Sequence, residues 1–69
     1  MKCRRFVIDN VNGAVNVIDL LKNEVKAVVT HEWRAERIAD ELMCNAKKND
    51  EPDMVMELGN KQIGVKSYE

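Results

Sequence analysis

The sequence predicts a small α+β domain, an antiparallel sheet in β-β-β-α-β-β order with one helix packed on one face. Three observations predict it. Residues 30–48, THEWRAERIADELMCNAKK, carry apolar residues at three- and four-residue steps. The segments on either side are rich in Val and Ile, which suit a pleated, half-buried surface. Two dipeptides, Asn12-Gly13 and Gly59-Asn60, stand where hairpins would turn.

In chain order, residues 3–11, CRRFVIDNV, read as a first strand, and Asn12-Gly13 suits the positive φ angles of a type I′ turn. Residues 14–21 then run back, pairing Ile8 with Val17 and Asn10 with Val15 on one face with Phe6. A short turn at Lys22-Asn23-Glu24 leads into a third strand, Val25 to Val29, with Val17 opposite Val29 and Leu21 opposite Val25. Ala14, Val17, Ile18, Leu21, Val25 and Val28 also fit a helical stripe. The dense β-branching and the preceding Asn-Gly favour strands.

The helix is expected to bury Ala35, Ile38, Ala39, Leu42, Met43 and Ala46. Thr30 is placed to cap its first turn, Glu32 to complement the positive end of its dipole, and Lys47 and Lys48 the negative end. After Pro52, the tail closes a type II′ hairpin at Gly59-Asn60, with Met56 opposite Ile63 and Met54 opposite Val65. The expected division is one domain over 1–69: a three-stranded sheet in 1–30, the helix in 31–48, and a C-terminal hairpin or arm in 54–68. That hairpin either extends the sheet or pairs with another copy.

Size and composition narrow the function. A chain of 69 residues buries only ~60% of its unfolded surface, so its core is thin. At 45% hydrophobic it is no disordered chain, and with one Phe, one Tyr and one Trp its core is aliphatic. The net charge of −1 disfavours a dedicated nucleic-acid binder. Cys3 and Cys44 are too few for a disulfide scaffold and read as reduced thiols. No apolar run is long enough to span a membrane, and MKCRRFVIDN lacks the apolar core of a signal peptide. The expectation is a cytoplasmic protein.

No catalytic, metal or cofactor motif emerges. His31 lacks the second histidine of a zincin helix, and no carboxylate pair stands out as an acid–base couple. Lys2, Arg4 and Arg5 would activate Cys3, but no resolving cysteine or conjugate histidine gives it a mechanism. Trp33 projects opposite the apolar stripe, in line with Arg37, Asp40 and Cys44. Such a Trp is either an interface hot spot or a ring folded over the core's edge, with Arg37 placed to stack on it. Arg37 and Glu41 are spaced to pair. Met54 and Met56 join Trp33 and Arg37 as candidate partner-binding residues, because Met adapts to irregular surfaces. Arg4, Arg5, Lys61 and Lys66 form the alternative set, a basic sheet surface for nucleic acid.

The strands carrying FVID and VNVID, followed by THEWRAERIADELM, resemble small uncharacterised phage- and prophage-encoded proteins with a short sheet before an Ala/Glu-rich helix. The resemblance covers roughly residues 4 to 43. It implies a small accessory protein that binds a host or phage partner. The functional expectation is therefore a non-catalytic binding protein without cofactor or metal, acting on a protein partner or on a second copy of itself. The alternatives are a nucleic-acid-binding module using the sheet, or a structural homodimer.

Overall fold

The computed structural model describes residues 2–68. Strands β1 (Lys2–Arg4), β2 (Phe6–Val11), β3 (Ala14–Asp19) and β4 (Glu24–Val29) precede helix α1 (Glu32–Lys48), and β5 (Met54–Leu58) and β6 (Lys61–Val65) follow it. The fold is α+β, but the strands make two antiparallel three-stranded sheets, ordered β2-β3-β4 and β1-β5-β6, rather than one. The chain passes from one sheet to the other at Arg5. Its N–H donates to the Asp53 carbonyl at 3.0 Å, and its own carbonyl accepts from Leu20 N–H at 2.8 Å. The C-terminal hairpin therefore pairs with the chain's own β1.

Asn12 and Gly13 take φ values of 51° and 81°, and the expected register follows, with Ile8 opposite Val17 and Asn10 opposite Val15. Residues 14–29 are strands around a turn, and the rival helix is excluded. The third strand departs from expectation. Val17 faces Ala27, not Val29, and Val25 faces Ile18 across a register shift. The loop spans 20–23, with Asn23 at φ 57°, and Lys26 is the extra residue of a bulge. Because sheet faces alternate, that one residue turns Val25 outward, to 57% exposure, while Ala27 and Val29 stay on the core side.

Helix α1 lies on the β2-β3-β4 sheet. Phe6, Val15 and Val17 meet Ala35, Ala39 and Ala46, with Ile38, Leu42 and Met43 packed around them, so the expected helical stripe is the buried one. Three alanines at the contact let helix and sheet approach closely. His31, not Thr30, occupies the N-cap, and no side chain caps the helix there. The Thr30 hydroxyl lies 2.9 Å from His31 Nδ1 instead. At the other end Asp50 takes φ 57°, and the N–H groups of Asp50 and Glu51 return to the Lys47 and Ala46 carbonyls at 3.2 and 2.7 Å. This paired closure around a left-handed residue ends the helix before Pro52.

The β5-β6 hairpin turns at Gly59 (φ 62°) with Met56 opposite Ile63 and Met54 opposite Val65, as expected. Its inner face carries Val55 (1% exposed) and Gly64, the latter against Pro52 and Leu21. Met54, Met56, Leu58, Ile63 and Val65 share the outer face.

Candidate functional site

Two constellations stand out, one internal and one on the surface. The internal one is a buried ion pair. Asp19 extends the inward row of Val15 and Val17 and pairs with Phe6 at the sheet's end, fully buried. A carboxylate there needs a cation. Arg5 supplies it from the crossing between sheets, with Nε donating to Oδ1 at 3.0 Å and Nη2 to Oδ2 at 2.9 Å. The remaining Nη1 donates to the Pro52 carbonyl at 3.1 Å and approaches Glu51 at 3.5 Å. Leu21 and Lys22 N–H groups also donate to Asp19 Oδ1, so one carboxylate closes both the turn and the ion pair. Arg5 is thus withdrawn from the nucleic-acid surface expected of it, because its guanidinium is consumed inside the fold.

A second buried carboxylate, Asp53, accepts from the Ser67 N–H at 2.8 Å and from the Ser67 hydroxyl. Lys47 Nζ lies 3.7 Å away. Burial pushes both carboxyls up. In Asp19 the Arg5 hydrogen bonds and the Lys22 and Leu21 N–H groups outweigh it and hold the group below the ordinary carboxylate range. In Asp53 the Ser67 donors, its own N–H and Lys47 do the same. Depressed folded values mean that this stability is fully present above the unfolded value of about 4 and lost as pH falls through the folded values. Urea midpoints are therefore expected to stay level from neutral pH to about pH 5 and to fall steeply below about 4. Equal midpoints at pH 7 and pH 3 would contradict it.

The surface constellation lies on the first turns of α1. The Ala35–Ala39–Ala46 stripe turns inward, which leaves Trp33 outside at 52% exposure. The ring is not folded over the core's edge. His31 meets it edge-on, centroids 6.3 Å apart, and the cation over its face is Arg34, at 5.4 Å, rather than Arg37. Arg37 and Ile38 complete the wall of an open depression of about 270 Å³ with Trp33 and Arg34. Among the described residues neither Arg34 nor Arg37 pairs with a carboxylate, so the expected Arg37–Glu41 pair is absent. Asp40 bonds Arg4 of β1 at 2.8 Å, an exposed pair that adds little stability but joins the outer helix row to the outer face of the second sheet.

The other expected site residues are separated. Met54 and Met56 are half-buried on that outer sheet face. Lys66 bonds Asp50 at 3.0 Å, and Lys61 stands at the opposite end of β6. Arg4, Arg5, Lys61 and Lys66 therefore form no common basic surface. Cys3 and Cys44 are free thiols. Among the described residues no cluster of His, Cys, Asp or Glu is placed to hold a metal ion. Nor, among those residues, is any helix long and apolar enough to cross a membrane. Comparison with protein-family models, curated proteins and solved structures found no match.

Arg34 and the Arg5–Asp19 pair were both missed in the sequence. Arg34 gives no signal, because stacking on the preceding residue depends on how the first turn sits. Asp19 does give one, since two-residue alternation from Val15 and Val17 places it on the inward face.

Proposed function

We propose that this protein is a small, non-catalytic binding module that docks a protein partner on the outer face of α1. The observation that carries the reading is Trp33, half-exposed over a shallow depression whose wall it shares with Ile38 and two arginines without carboxylate partners among the described residues. Trp and Arg supply much of the binding energy at protein interfaces, and an exposed ring held by a cation loses little freedom on docking. The two guanidinium groups suit a partner surface that presents carboxylates around an apolar side chain. The resemblance of residues 4 to 43 to phage-encoded accessory proteins points to the same class of activity, with a host or phage protein as partner and the cytoplasm as its place.

The test is capture of partners from bacterial lysate by the tagged protein, in nuclease-treated and untreated halves, followed by affinity measurement with the purified partner. Trp33→Ala is expected to weaken binding by ~2 kcal/mol or more, about thirtyfold, with the circular dichroism spectrum unchanged. A Trp33→Ala variant that binds equally well would refute the docking face, and loss of all captured material on nuclease treatment would favour the nucleic-acid alternative.

A further inference from the structure

We infer that β6 is a self-complementary edge through which two copies of this chain pair antiparallel, merging their second sheets into one of six strands. This goes beyond the helix-face reading and uses a different surface.

The two sheets leave four edges, and three carry devices that discourage pairing. Strand β1 is three residues long, and its Arg4 is tied to Asp40. β4 has the Lys26 bulge and an ion pair between Lys26 and Glu24 at 3.0 Å. β2 presents Asp9 in its middle. In β6 the last four residues, Gln62-Ile63-Gly64-Val65, are uncharged and carry no bulge.

The register is self-matching. Leu58 and Lys61 flank the two-residue turn, so Lys61, Ile63 and Val65 bond back to β5, and Gln62 and Gly64 turn their N–H and C=O groups outward. About a two-fold axis at Ile63, Gln62 of each copy meets Gly64 of the other, and the pairs exchange four hydrogen bonds. Ile63 then stands opposite Ile63 of the second copy, at the closely spaced type of pair. Met56, already opposite Ile63, extends this into one apolar row across four strands. Lys61 falls opposite Val65 of the second copy, so no like charges oppose each other.

The edge strand also brings apolar area of its own to the seam, where Ile63 is 44% exposed and Val65 half-buried. The molecule is a plate of 34 × 28 × 16 Å. It exposes 4863 Å², about a tenth more than the ~4,400 Å² typical of a monomer of its mass. A stable dimer needs roughly 600 Å² from each copy, about an eighth of that surface.

Sedimentation velocity on the full chain across a micromolar-to-millimolar series tests the pairing. The wild type is expected to move from the 7.9 kDa monomer to a species of twice that mass. Ile63→Lys places two cations face to face, and Gln62→Pro removes an outward-facing donor that the monomer does not use. Each is expected to remain monomeric throughout while keeping the wild-type circular dichroism spectrum. A wild type that stays monomeric at millimolar concentration overturns the inference, and so does a dimer that survives both substitutions. A monomer that instead binds an added strand-forming peptide at β6 would also overturn it, by showing that the edge serves another chain.

Discussion

Arg5→Met is expected to remove a large share of the protein's stability. The substitution leaves Asp19 fully buried without its cation, and breaking such a pair costs about 3–5 kcal/mol. A domain of 69 residues has only about 3.5–10 kcal/mol of total stability to lose. The same side chain also holds the Pro52 carbonyl, so both sheets and the segment after the helix lose a common anchor. The double substitution Arg5→Met with Asp19→Asn is expected to recover part of the loss. The amide oxygen that replaces the carboxylate still accepts from the Leu21 and Lys22 N–H groups, and no unpaired charge remains at that position. Urea unfolding of the wild type, both single variants and the double closes the cycle. If Arg5→Met costs less than about 1 kcal/mol, or the double is no better than the single, the pair is not the joint described above.

Gly64→Val is expected to cost about 1–3 kcal/mol, concentrated in the second sheet. A Cβ at this position would lie 2.8 Å from Pro52 Cβ and Cγ and 3.0 Å from Leu21 Cδ2. The proline ring has no rotamer that moves it away, so the hairpin must lift from the loop it rests on. Amide exchange is expected to speed up in β5 and β6 while β2, β3, β4 and α1 keep their protection. Gly64→Ala should act in the same direction with a smaller loss. Uniform deprotection of all elements would instead mean that the two sheets unfold as one unit, and unchanged stability would refute the close approach.

Much of the fold was legible because it rests on local chemistry. Asn12 and Gly13 tolerate positive φ, so that turn and its register followed directly. The same holds for Gly59 and the Met56–Ile63 pairing. The stripe from Ala35 to Ala46 identified the buried face of α1, while the choice between a Trp33 outside that face and one folded over the core's edge was left to the tertiary structure. The third strand was misread because a bulge has no distinct residue signature here. Lys26 reads like any strand residue, yet its extra place turns Val25 out to solvent. Gly64, which looks like a weak point in a strand, is where backbone meets Pro52 and Leu21.

By itself the sequence determined the α+β class, the two tight turns and the helix, since each depends on residues a few positions apart. Tertiary structure alone decided that the strands split into two sheets, that Arg5 lies inside rather than on a basic surface, and that Arg34 rather than Arg37 covers Trp33. The first two outcomes depend on groups such as Asp19, Pro52 and Asp53, which stand 14 or more residues from Arg5 along the chain. The position of one charged residue in a strand says only which face it occupies. Whether that face meets water or a carboxylate is set by how distant segments pack.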